Sequence, residues 1–136
     1  MIQSVEEISW TFYGYETPAG GKDVQDWFDG LRVEERDEAT DVLVYLQALP
    51  RHQWFKPGFD LLDDDVSEIR FKVNALHVRK IYRIYGAFWP EKQRHSYTLL
   101  IGKDKKVDND RRGKAEAIKR LKQLRRGEAR IHEFKF

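Results

Sequence analysis

The sequence predicts an α+β domain, a small and mostly antiparallel sheet with helices packed on it, in the order β-α-α-β-β-β-α. Three observations predict it. A run rich in aromatic and β-branched residues opens the chain, two stretches with apolar residues at helical spacing follow it, and three strand-like segments then lie close together before a basic helix.

Ile8 to Tyr15 reads as the first strand, ended by a turn at Pro18-Ala19-Gly20-Gly21. Asp23 is placed to cap a short helix, with Asp26 in its first turn. Val24, Trp27, Phe28 and Leu31 then fall at i, i+3, i+4 and i+7 on one apolar face. A longer helix runs from about Val33 to Leu49. Its buried stripe is Ala39, Val42, Leu43, Leu46 and Leu49, and its start is acidic (Glu34, Glu35, Asp37, Glu38, Asp41), which suits the positive end of the helix dipole. Pro50 to Val66 reads as a loop carrying Pro57-Gly58 and Asp63-Asp64-Asp65. Strands are expected over 67–73, 78–88 and 95–101, the last two joined through Trp89-Pro90-Glu91-Lys92. A helix over 111–126 should turn Ala115, Ile118, Leu121 and Leu124 inward and Arg112, Lys119, Lys122 and Arg126 outward. The tail 130–136 alternates weakly and is a candidate edge strand. No repeat, low-complexity stretch or second domain is evident, so 1–136 reads as one domain.

The 136 residues, 40% hydrophobic and including 18 aromatics, suffice for a core without covalent staples. No window approaches the roughly 18 apolar residues of a membrane helix. Met1 to Trp10 lacks the basic start and apolar run of a secretory signal. With no cysteine, disulfides and thiolate metal sites are excluded. A cytoplasmic protein that is not attached to a membrane is the expectation.

The net charge of +2 conceals an asymmetry. Residues 1–68 hold 5 Lys/Arg against 16 Asp/Glu, a balance of −11, and residues 69–136 hold 20 against 7, a balance of +13. A basic second half suits a polyanion such as the nucleic-acid backbone; alternatively, acidic helices and basic strands face and neutralise each other.

Particular residues sit at the strand ends. Glu68-Ile69-Arg70 opens one strand, Val78-Arg79-Lys80-Ile81-Tyr82 follows, and Leu99-Leu100-Ile101-Gly102 leads into Lys103-Asp104-Lys105-Lys106 and the basic helix. With Phe12-Tyr13 and Val24 to Leu31 upstream, this order resembles the RelE/HigB-like toxins of type II toxin–antitoxin systems, especially the phage-derived HigB-type branch. That branch typically reads Glu-Leu-Arg, Tyr-Arg-(Val/Ile)-Leu-Tyr and Leu-Leu-His-Gly-Phe-x-Lys-Lys. Ile101 stands where the pattern often has His, and Lys103 where it often has an aromatic residue.

The resemblance implies a RelE/ParE-like fold and a ribosome-dependent messenger RNA endoribonuclease (an mRNA interferase) that needs no cofactor or metal. Its partners would be a cognate antitoxin, a helix-turn-helix protein by expectation, together with the ribosome and its message. Such chemistry needs donors for the charged phosphorane and groups that move protons. Arginine suits the first role because its planar fork contacts two oxygens and stays charged. By resemblance Arg79 is the transition-state arginine, with Arg70 on a neighbouring strand converging on the same phosphate; alternatively both are surface arginines paired with acids such as Glu68. Lys105 and Lys106 match the family's lysine pair, or form a solvated loop. Lys72, Lys80, Arg83 and Arg112 complete the basic set expected to meet nucleic acid. His132 is the replacement proton carrier the resemblance suggests, or an ordinary tail histidine. Tyr82, Tyr85 and Tyr97 are either base-stacking rings or strand packing. Gly102-Lys103 lacks the upstream glycine of a phosphate loop, and neither the scattered histidines nor Asp63-Asp64-Asp65 has metal-ligand spacing. Two other functions fit the same scaffold: a non-enzymatic ParE-like toxin binding DNA gyrase, and an orphan prophage protein that binds RNA without cutting.

Overall fold

The computed structural model describes residues 7–55, 58–75, 78–104 and 109–136. Its elements are β1 (Thr11–Glu16), α1 (Asp23–Asp29), α2 (Val33–Gln47), a 3-10 turn (Arg51–Gln53), β2 (Phe59–Leu61), β3 (Ser67–Ala75), β4 (Val78–Ala87), β5 (Ser96–Asp104), α3 (Arg111–Arg125) and β6 (Arg130–Glu133). The six strands form one sheet in the order β2-β3-β4-β5-β1-β6, antiparallel except where β1 runs parallel to β5. The α+β class and the mostly antiparallel sheet are therefore as expected. No helix among the described residues is long and apolar enough to cross a membrane.

Alternation decides which side of the sheet each residue serves. Along β3, Ser67, Ile69, Phe71 and Val73 are buried toward one face. There they join Trp10, Phe12, Val24, Phe28, Leu43, Trp54, Tyr82, Tyr97 and Leu99 beneath α1 and α2. The opposite face carries a smaller cluster, Tyr15, Val66, Tyr85, Ala87 and Leu100, covered by Ala117, Leu121 and Leu124 of α3. Tyr82, Tyr85 and Tyr97 are all buried, which removes the base-stacking alternative. Gly102, set aside as a phosphate-loop glycine, lies within β5 with the Trp27 ring where its side chain would be.

Three local expectations need correction and a fourth holds. Asp23 is the first residue of α1 and not its cap, a place taken by Lys22 without a side-chain bond; its carboxylate reaches Arg120 of α3 at 3.1 Å instead. The segment 50–66 is not all loop, because Phe59 and Leu61 carry a three-residue strand along β3. Ala115 faces outward, and Gly113 and Ala117 take the inner positions. The cause is close docking at the start of α3, where a Cβ on Gly113 would lie 2.1 Å from the Asp110 carboxylate and 2.8 Å from the Tyr85 ring. That contact rotates the helix from the stripe its leucines suggest. Finally, the tail does form an edge strand, with β6 antiparallel to β1.

Candidate nucleic-acid interface

The α3 side of the sheet is only partly covered. From Tyr85, which α3 covers, outward along the hairpin, β3 presents Glu68, Arg70, Lys72 and Asn74, and β4 presents their register partners Tyr85, Arg83, Ile81 and Arg79. Register partners share a face and stand about 5 Å apart. Arg70 is opposite Arg83, and Arg83 is in turn opposite Lys103 of β5. Three cations thus form one row across three strands.

Such a row is self-repelling, because like charges directly opposite each other destabilise a sheet. Two carboxylates hold it. Glu68, itself buried, places Oε1 3.5 Å from Arg83 Nε and 4.0 Å from Arg70 Nε. At the other end Asp110 accepts from Lys103 Nζ at 3.0 Å. Between them Arg83 Nη1 donates to the Tyr85 hydroxyl at 2.8 Å, and that hydroxyl donates to Asp110 Oδ2 at 3.0 Å. Asp110 Oδ1 also accepts from Gly113 N at 3.1 Å, so the same carboxylate caps α3. The Asp110 carboxyl would be pushed up by burial, but Lys103, the Gly113 amide and the Tyr85 hydroxyl outweigh that and hold it below its ordinary value. Burial, reinforced by the neighbouring Asp110, pushes the Tyr85 phenol up to about 12 against the pull of Arg83, so it serves as a fixed neutral donor.

The middle of the row is sealed and its ends are open. Arg83 is 2% exposed, whereas the Arg70 and Lys103 side chains are 25% and 38% exposed. Arg83 therefore does not contact a phosphate directly as expected; it is a buried charge that is stable only because Glu68 and Tyr85 meet it.

The remaining expected site residues are spread out. Arg79 is exposed on the same face but lies opposite Asn74, four residues along β4 from the row, about 13 Å at strand rise. Arg70 and Arg79 do share a face, yet the register puts Arg83, not Arg79, beside Arg70. Lys72 is exposed between them. Lys80 is exposed on the other face and 3.9 Å from Asp104. Arg112 is exposed in the first turn of α3. Lys105 and Lys106 lie outside the described residues.

His132 does not belong to this group. It sits on β6, three strand spacings from β4 (about 14 Å), and its register partner is Gly14. Gly14 lies on the α1/α2 face with Phe12, so the imidazole faces away from the cation row. The ring packs on bare backbone, since a Cβ on Gly14 would lie 2.6 Å from Nε2.

The charge asymmetry resolves in two ways. Part is neutralised across the fold: Asp63 meets Lys114 and Asp65 meets Arg125, each at 2.8 Å, and Glu91 meets Arg125 at 2.9 Å. The acidic loop is thus a clamp on α3. In the row, three cations meet two carboxylates, Glu68 and Asp110, which leaves one positive charge in excess, and Lys72 and Arg79 are exposed on the β3–β4 surface beyond it.

No family model matches the chain, and no curated protein or solved structure matches it either.

Proposed function

We propose that this chain is a type II toxin of the RelE/HigB-like kind, which docks an RNA backbone on the α3-side face of β3, β4 and β5 and cuts message on the ribosome. The register row Arg70–Arg83–Lys103 carries this reading. Its open ends offer a forked donor and an ammonium about 10 Å apart, two strand spacings, and three cations against two carboxylates leave the row one positive charge in excess. Lys72 and Arg79 extend the track along the hairpin. On this reading Arg70 and Lys103 meet the reacting phosphate and Arg79 holds a neighbouring one. The ribosome aligns the 2′-hydroxyl, which explains how a site with few proton-transfer groups suffices.

The test is induced expression in a bacterium with mapping of message 5′ ends, for the wild type and for Arg70→Ala with Lys103→Ala. Wild type should arrest growth and generate new 5′ ends. The paired variant should lose roughly two to three orders of magnitude of cleavage, as expected for removal of charge-stabilising donors, while remaining folded by circular dichroism. Undiminished cleavage by a folded paired variant would remove the row from the site.

One observation favours a second reading. The imidazole expected to carry protons faces the other side of the sheet, which suits binding without cutting, either to gyrase or to RNA. Growth arrest with no new 5′ ends and with altered plasmid supercoiling would select the gyrase-type function.

A further inference from the structure

The C-terminal half of α2 borders an open groove together with Gln53, Phe55 and Gly58. It is lined by Asp41, Val42, Tyr45 and Leu46 of α2, by Gln53, Phe55 and Gly58, and by Arg70 at its inner end. Singly exposed apolar residues are normal on any surface. Here, however, two aromatic rings converge on one concavity, Tyr45 at 67% and Phe55 at 68% exposure, and Val44 beside them is 52% exposed. Neither ring belongs to the core clusters of the described residues, so the pair stands as an exposed apolar feature.

The rim is acidic. Asp37, Glu38 and Asp41 are exposed and Glu34 is half-buried; the four fall at i, i+3, i+4 and i+7, one continuous stripe running into the groove. The last turn of α2 has no basic residue, so the negative end of its dipole adds to the same field. Arg70 is the one cation among the described lining residues, and the Glu68 carboxylate 4.0 Å away offsets it.

From this shape and charge we infer that the groove docks a helical segment of another protein, with an apolar stripe flanked by lysine and arginine. An apolar trough of this kind takes side chains spaced at i, i+3/i+4 and i+7, and the acidic stripe sets the preference for basic flanks and fixes orientation. This surface meets the cation row only at Arg70, and its apolar and acidic parts on α2 do not depend on whether the chain cuts RNA. The charge requirement also distinguishes the guest from nucleic acid, which α2 repels.

The experiment uses the full chain and two synthetic helical peptides sharing one leucine stripe, flanked by lysine in one and by glutamate in the other. Binding is followed by calorimetry. The lysine peptide should bind with micromolar affinity and the glutamate peptide about tenfold or more weaker; Tyr45→Ser with Phe55→Ser should weaken the lysine peptide by a similar factor. Because both rings are exposed, that variant should give the wild-type circular dichroism. Asp41→Lys supplies an independent charge arm that touches no ring and should shift preference toward the glutamate peptide. Equal binding of the two peptides, or full binding to the folded Tyr45/Phe55 variant, would overturn the inference. So would self-association of the wild type across the micromolar range that Tyr45→Ser abolishes, since the occupant would then be a second copy.

Discussion

The two faces of the sheet solve the burial problem differently. Under α1 and α2 the strands turn inward Phe12, Phe59, Phe71, Tyr82, Ile84, Tyr97 and Leu99, joined by Trp10, Trp54 and Phe88. The rings pack edge to face, tilted or stacked, with Trp10 and Trp54 centroids 4.7 Å apart, Phe88 and Tyr97 5.1 Å apart, and Phe71 stacked on Tyr82 at 5.2 Å. The polar groups there are neutral and matched: Tyr97 hydroxyl to Ser67 Oγ at 2.8 Å, and the Trp54 indole N–H to the Leu46 carbonyl at 3.1 Å. Under α3 the apolar cluster is smaller, and past Tyr85 it gives way to a cation row wedged between two carboxylates. Apolar contacts are non-directional, so the first face tolerates exchange of one hydrophobe for another. The second face depends on opposite charges meeting where water is scarce, and there a change of one partner leaves the other exposed to its full desolvation cost. Stability is concentrated on one face and chemical potential on the other.

That contrast can be broken most decisively at its two most buried points. Arg83→Ala should cost about 3–5 kcal/mol, because it strands the buried Glu68 carboxylate. Leu43→Ala on the other face should cost about 2–5 kcal/mol through cavity formation. The two losses differ in their remedy. Replacing both charges, Arg83→Met with Glu68→Leu, should recover most of the first loss, since an apolar pair of similar volume avoids the desolvation cost. Urea denaturation of these variants decides the matter, and a double variant no better than Arg83→Ala would show that the pair is not the issue.

A smaller effect sharpens the functional side. RNA affinity should fall steeply as salt rises between about 50 and 200 mM, and Arg70→Ala should reduce the salt slope by roughly one released counterion. Lys80→Ala, on the opposite face, should leave the slope unchanged. Equal changes from both residues would mean that binding is diffuse and not assigned to one face.

The pH dependence is smaller still. The Asp110 carboxyl is held below its ordinary value, so the stability it contributes is fully present above the unfolded value of about 3.9 and is lost as pH falls through the lower folded value. Asp63, lowered by its hydrogen bond to Lys114, adds to the same acid window. At the other extreme, Tyr85 keeps its proton up to about 12 while an unfolded tyrosine releases it near 10, so stability should decline as pH rises through that interval. Asp110→Asn should flatten the acid limb and Tyr85→Phe the alkaline limb. An unchanged acid limb in Asp110→Asn would detach the carboxylate from the network.

Last, Arg79→Ala should change folding stability by no more than about 0.5 kcal/mol, the usual limit for an exposed position. A larger loss would place Arg79 in a structural contact and remove it from the exposed track.

The helices and the main hairpin were legible because they rest on local signals: the 3.6-residue stripe of α2 and the paired β-rich runs of β3 and β4. β2 was not, since three residues between Gly58 and Leu62 carry no periodicity of their own and become a strand only beside β3. The site was half legible. Its residue types and its strands could be read, and Arg70 was correctly set on a strand next to a second arginine. Which arginine faced it depended on hairpin register, and register is fixed by long-range pairing. Tyr82-Arg83-Ile84 fits the first three positions of the Tyr-Arg-(Val/Ile) motif, a signal four residues from the match assumed. Lys103 was noticed only as a departure from an aromatic position, yet the same register makes it the open end of the row. Burial of Arg83 could not be read at all, because it requires Glu68 of β3 and Asp110 at the start of α3 to arrive beside Arg83 and Tyr85 from two separate segments.

The pairing of β6 with β1 has a consequence for synthesis. β1 is among the first segments made, but both its neighbours come late: Ser96 to Leu99 on one side and Arg130 to Glu133 on the other. The closure is tightened by Gln25, whose side chain bonds the Lys135 backbone in both directions across 110 positions. Contacts so far apart in the chain form slowly and only after everything between them exists. While the chain is still being translated, β1 therefore waits with open hydrogen-bonding edges, and the β3–β5 hairpins can assemble ahead of it. The sheet becomes whole only after residue 135 has cleared the exit tunnel, so the nascent protein passes through a stage with its cation row formed and its aromatic face unsealed.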